Sequence, residues 1–209
     1  MIFLRVFGAE CEIEEVNTII TNNETIDINF TSYTEKQLDT KINTKPSSSH
    51  KPSSTNSLQH TKRPAQFRNA TKGLRSLLRM LMQSDSFATS NIEINTGSEH
   101  PFKAKNLFVN FDDITKEHLN KWRAYWGVIS HSDSKINWLN TANEQDVSIP
   151  VSKLKNYIMN IFDIKNSEVL TGSTILVFGK LSVSKSEKKK WYIRVTNDSP
   201  NRIFIKLKK

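Results

Sequence analysis

STILVFGKLSVSKSEKKKWYIRVTNDSPNRIFIKLK, residues 173–208, decides how this chain is read. Its three runs STILVFGKLSV, KWYIRV and RIFIKLK alternate apolar and polar side chains, and the polar loop SKSEKKK and the turn DSPN separate them. Successive side chains of a strand point to opposite faces, so the stretch predicts an antiparallel three-stranded meander. Ile175, Val177, Leu181 and Val183 share one face, as do Trp191, Ile193 and Val195, and likewise Ile203, Ile205 and Leu207. The other face carries Lys180, Arg194, Lys206 and Lys208 beside Phe178, Tyr192 and Phe204. Gly179 in mid-strand predicts a bulge or a sharp coil.

Upstream of this sheet the apolar period lengthens. VSKLKNYIMNIFDI, after Pro150, places Leu154, Tyr157, Ile158, Ile161 and Phe162 on one stripe and predicts a helix over 151–164, with the proline in its first turn. ITKEHLNKWRAYW spaces Leu119, Trp122 and Trp126 as a helix over 115–126 would, with Asp112-Asp113 placed to cap it. FRNATKGLRSLLRMLM predicts a third amphipathic helix over 67–82, in which Leu74, Leu77, Leu78 and Leu81 oppose Arg68, Lys72, Arg75 and Arg79. NIEINT and KAKNLFVNF read as strands, and so does TIDINF near the N-terminus, where Ile26, Ile28 and Phe30 share a face.

Between Thr31 and Pro64 the chain is rich in Ser, Thr, Lys and Pro, with too little apolar surface to offset the entropy of ordering it. The expected organisation is a β-rich N-terminal element over 1–30, a disordered basic linker over 31–64 and a globular domain over 65–209. The expected fold class is α+β: an antiparallel sheet with a C-terminal meander, packed by about three amphipathic helices. Three curved strands with a mid-strand glycine are also similar to part of an oligonucleotide-binding barrel, a likeness of fold alone.

Charge is unevenly distributed. The 209 residues hold 30 Lys+Arg and 21 Asp+Glu, a net charge of +9. Residues 1–39 carry two basic and eight acidic side chains, whereas residues 40–84 carry nine basic side chains and no acid. From Lys180 to Lys209 there are ten cations against Glu187 and Asp198. No apolar run is long enough for a membrane-spanning helix, and the acidic turn at Glu10 to Glu15 is unlike a targeting signal. The single Cys11 suits a reducing compartment. The expected location is intracellular and nuclear, with no membrane partner.

The catalytic signatures that could be sought are missing. Neither GxxxxGK[ST] nor GxGxxG occurs, and His50, His60, His100, His118 and His131 show no metal-binding spacing. Asp112 and Asp113 are the residues an enzyme would use, as ligands of a divalent metal, but acids there more often cap a helix. The expectation is a protein without catalytic activity and without a cofactor.

Binding is where the pattern points. Cations clustered on one helix face repel each other unless a polyanion or an acidic surface meets them. The residues expected to contact phosphates are Lys62, Arg63, Arg68, Lys72, Arg75 and Arg79 of the basic segment, and Lys180, Lys188, Lys189, Lys190, Arg194 and Lys206 of the C-terminal sheet. Exposed rings among those lysines would add stacking on single-stranded bases, although helices covering that face would instead bury Phe178, Tyr192 and Phe204. The expected function is a nucleic-acid-binding subunit of a larger nuclear assembly, DNA ahead of RNA. The alternative is an adaptor that holds other protein subunits.

Overall fold

In the computed structural model, which describes residues 25–30, 70–142, 146–187 and 189–208, the 173–208 stretch forms three strands, but they are not a meander. β9 (Thr174–Val183) is central, and both β10 (Trp191–Val195) and β11 (Ile203–Lys206) run antiparallel to it along the same edge. β10 lies opposite residues 179–183 and β11 opposite residues 174–177, so the two are in line and run in one direction. DSPN therefore does not reverse the chain. Asn197 and Asp198, both with positive φ, take it out of the sheet, and the turn at Pro200–Arg202 returns it to the edge it left.

The other edge of β9 explains the larger departure from expectation. Residues 122–132, whose first part suggests a helix, form the long strand β6 (Trp122–Ser132), and Trp122 to Val128 pair with Lys180 to Thr174. The i, i+4 spacing of Trp122 and Trp126 fits a strand as well as a helix, because four is a whole number of two-residue periods. Between them, Arg123 and Tyr125 fall on the opposite side, and Tyr125 is fully buried, with its hydroxyl donating to the Lys121 carbonyl at 3.3 Å. Burial pushes the Tyr125 phenol up to about 12, an effect that the charge of Arg123 only partly offsets.

From β6 the chain continues through β7 (Trp138–Thr141), antiparallel to it, and β8 (Ser148–Pro150), antiparallel to β7; β8 then pairs in parallel with β10. Since β10 pairs with β9 and β9 with β6, the five strands close in the ring β6-β7-β8-β10-β9. This closed barrel, with a predominance of strands, overturns the expected α+β sheet packed by three helices. The described residues contain four short α-helices of ten, five, four and seven residues. Of the three expected helices, the one over 115–126 is absent. The one over 151–164 shrinks to Lys155–Ile161, with Pro150 ending β8 instead of opening the helix. The one over 67–82 begins only at Leu74.

The first helix, α1 (Leu74–Gln83), buries Leu74, Leu77, Leu78, Met80 and Leu81, each worth about 1.5–3 kcal/mol in transfer terms. Ahead of it, Ala70–Gly73 forms β2, which pairs in parallel with β1 (Ile26–Asn29). β1 also pairs in parallel with β3 (Glu93–Asn95), and β3 pairs antiparallel with β4 (Phe102–Lys103), giving a second sheet in the order β2-β1-β3-β4. α2 (Asp85–Thr89) and α3 (Ala104–Leu107) flank it, and β5 (Phe108–Asn110) pairs with β6 outside the ring. α4 (Lys155–Ile161) connects β8 to β9.

The second sheet covers one side of the barrel. Phe30, just past β1, meets Phe178 of β9 edge-on with ring centroids 5.0 Å apart, while Phe102 and Phe178 both pack on Trp122, at 5.7 and 5.5 Å. Two glycines permit close approaches within this structure. A Cβ at Gly179 would lie 2.5 Å from the Arg194 carbonyl oxygen, and one at Gly127 would lie 2.6 Å from the Phe111 ring, so neither position has room for a side chain. The coil expected at Gly179 is thus a close contact between β9 and β10.

Candidate nucleic-acid interface

Of the cations expected to meet phosphates, Lys62, Arg63, Arg68 and Lys188 lie outside the described residues. Lys72 is on a strand, not a helix: it sits half-buried in β2 opposite Ile28, so the expected four-residue ridge is not a single helical face. Arg75 and Arg79 remain one helical turn apart on the exposed side of α1.

The fold brings these two arginines to the C-terminal strand. Arg75 and Arg79, with Lys206 of β11 and the neighbouring Lys208, line a cleft of about 690 Å³ floored by Phe162 and Phe204. Among the described residues that line it there is no carboxylate. Lys206 extends its ammonium to the Met82 sulfur at 3.9 Å, which lays its stem along the apolar end of α1. Two sets of cations some 130 positions apart in the chain thus share one cleft.

The remaining expected contacts form a second group at the far end of β9. Lys180 and Arg194 stand directly opposite one another on β9 and β10, and both are exposed. Like charges in cross-strand register are unfavourable without a counter-charge. The 184–190 loop beyond them exposes Lys185, Lys189 and Lys190. Lys206 is in register with Thr174 and Arg194 with Lys180 further along β9, which sets the two groups about 20 Å apart.

The rings fall into two classes. Phe178 and Phe204 are buried, Phe178 under Phe30 and Trp122 and Phe204 against Phe162 at 5.6 Å, so neither is a stacking surface. Their cover differs from the expected one: a sheet supplies it over Phe178. Tyr192 is only half-buried, and beside it are two rings that sequence reading did not single out as a site, Trp191 and Trp138. Trp138 is 45% exposed. The available signal was the alternation Trp-Leu-Asn-Thr at 138–141, in which Leu139 and Thr141 point inward and Trp138 therefore points out.

Asp112 and Asp113 are exposed in a single turn at Phe111–Asp113, where the Asp112 N–H donates to the Asn110 side chain at 3.1 Å, and no α-helix follows for them to cap. Asp133 accepts from its own loop, and the His131 ring contacts the Ser130 hydroxyl at 2.9 Å. Among the described residues no group of three or more His, Cys, Asp or Glu is placed to hold a metal ion. Nor, among them, is any helix long and apolar enough to cross a membrane.

In the closed ring the first strand pairs with the second and fourth, the third pairs in parallel with the fifth, and a helix joins third to fourth. Comparison of the chain with protein-family models, with curated proteins and with solved structures finds no match.

Proposed function

We propose that this chain is a non-catalytic nucleic-acid-binding subunit of a larger nuclear assembly, with DNA ahead of RNA as its ligand. The observation that carries the reading is the shared cleft, where Arg75 and Arg79 of α1 meet Lys206 and Lys208 beside β11. Neutralising such a cluster with phosphates releases condensed counterions, which gives affinity with little sequence choice. The second cationic group, at Lys180, Arg194 and the 184–190 loop, supports the same reading, as does a strand order similar to that of the oligonucleotide-binding barrels, a likeness of fold alone.

A salt series tests it. Affinity for a DNA oligonucleotide should fall steeply between 50 and 200 mM salt, on the order of tenfold or more. Arg75→Glu with Arg79→Glu should weaken binding at low salt and reduce the slope of log affinity against log salt by about two. Affinity that ignores salt, or survives the double reversal intact, overturns the reading.

An adaptor is the competing reading. Met82 and Val128 are exposed apolar side chains bordering one cleft of about 340 Å³, with Trp126 beside them, and such a patch suits a protein partner. It predicts that the chain binds nucleic acid no better than an unrelated basic protein, and that Val128→Asp releases a co-purifying partner.

A further inference from the structure

Three adjacent strands set three unlike side chains in one row. Lys206 of β11 lies opposite Thr174 of β9, and Thr174 lies opposite Val128 of β6. Partners in register project to the same face, so Lys206 and Val128 stand about 10 Å apart with Thr174 between them. The C-terminal end of α1 reaches this row, because Met82 and Thr174 both border the α1–β11 cleft and also the cleft of about 340 Å³ beside it. Met82 and Val128, 42% and 54% exposed, form the apolar centre of the surface.

Charge changes sign across that centre. The strands run in the order β11-β9-β6-β5. On the β11 side the Lys206 ammonium is 3.9 Å from the Met82 sulfur, and Arg79 precedes Met82 by three residues, so it neighbours Met82 on the helix surface. On the β5 side Asn110 is in register with Trp126, and Asp112 follows two residues later. Asp85, which opens α2, joins them in lining the second cleft. Asp85 and Asp112 are both exposed, and among the described residues no cation forms an ion pair with either.

A surface that passes from positive through apolar to negative is complementary to itself. A two-fold axis through its centre sets Met82 and Val128 of one chain against the same residues of another, and it places Arg79 and Lys206 of each copy over Asp85 and Asp112 of the other. Symmetric dimers use this isologous arrangement. We infer that this face is the contact between two copies of the chain. The inference goes beyond the nucleic-acid reading and stands without it, since it needs no phosphate. Arg79 and Lys206 also line the α1–β11 cleft, so a chain within the dimer presents fewer cations there than a single chain does. The apolar centre is small, which makes the association weak, half complete at a chain concentration on the order of 10–100 µM.

Sedimentation velocity of the full chain, without nucleic acid and from about 1 to about 200 µM, tests it at about 150 mM salt, where repulsion between the two net charges is screened beyond roughly 8 Å. The wild-type chain should pass from monomer to dimer over that range. Val128→Asp sets two carboxylates against each other at the axis and should weaken dimerisation by roughly tenfold or more. Asp112→Lys and Lys206→Glu should each weaken it by a similar factor alone, because every copy then meets like charge. An equimolar mixture of those two variants should dimerise again, since one contact is then native and the other is its exact reversal, and a fault in folding would not be repaired by mixing. A wild-type chain that stays monomeric at about 200 µM overturns the inference. So does a dimer that all three substitutions leave intact, or a mixture of the two reversals that stays monomeric. A monomeric wild-type chain that retains a different protein through purification, and loses it on Val128→Asp, also overturns the inference and assigns the face to the adaptor's partner.

Discussion

The two outer sides of the barrel differ in what lies over them, not in what they are made of. Trp122 and Phe178 point outward from β6 and β9 and are closed over by Phe30 and Phe102 of the second sheet. Trp138 and Tyr192 point outward from β7 and β10 and border a cleft. Both pairs stand in alternating strands with similar neighbours, yet one is part of the core and the other is available to a ligand. An outward ring is therefore evidence of a binding surface only once its cover is known.

The largest effect expected from this difference is on stability. Phe178 is fully buried, so Phe178→Ala should cost about 3–5 kcal/mol, from lost transfer energy and the cavity left between the sheets. Trp138→Ala removes a larger side chain and should cost less, about 1–2 kcal/mol, because 45% of it is already exposed to water. Urea denaturation of the two variants checks this, and equal midpoints would erase the distinction between the sides. Arg202 belongs to the covered side as well. Its guanidinium lies 3.5 Å from the centre of the Phe30 ring, and burial lowers its pKa.

A smaller effect tests how tightly the covered strand is held. Gly179 lies in β9 between Arg123 of β6 and Val195 of β10, and a methyl group there would meet the Arg194 carbonyl. Gly179→Ala should cost about 1–3 kcal/mol as β10 is pushed from β9. Calorimetry checks this, and an unchanged melting temperature in Gly179→Ala would mean that β10 yields without loss of packing.

Much of this architecture was legible in local pattern. The strands β9, β10 and β11 and their inward faces follow from alternation, as do the buried face of α1 and that of the shorter α4. What alternation does not reveal is partnership. A turn that reverses the chain and one that steps out and rejoins the same edge both use Asn, Asp, Ser and Pro, so DSPN could not show that β10 and β11 are in line. Trp122 and Trp126, four apart, satisfied both periods, and Tyr125, three residues from Trp122, would flank the same stripe of a helix, so local spacing did not decide between helix and strand. The cations were visible, but the meeting of Arg79 with Lys206 depends on the tertiary path of β11. Trp138 was obscured by its setting, a short strand in a polar segment whose exposure is defined by the closure of the ring.

The smallest expected effect concerns how the open side keeps its shape. Ile136 is buried in the 133–137 loop with φ of 53°, a left-handed conformation that a β-branched residue adopts only under constraint, at a cost of about 1–3 kcal/mol. Burial of the Ile136 side chain and the bonds to Asp133 oppose that cost. Partial burial raises the Asp133 carboxyl, but the N–H groups of Trp138, Asn137 and Lys135 and the Asn137 side chain outweigh it, so the group titrates below its ordinary 3.8. A carboxyl held low contributes its stabilisation in full above the ordinary value and loses it as pH falls through the lowered one. The loop should accordingly be insensitive to pH from 8 to 5 and loosen only in stronger acid, where Trp138 emission, isolated by subtracting the spectrum of Trp138→Phe, shifts to the red before the barrel unfolds. Asp133→Ala should show the shifted emission already at neutral pH. An unaltered Trp138 spectrum in Asp133→Ala would mean that strand pairing alone positions the indole, and that the loop contributes nothing to the difference between the two sides.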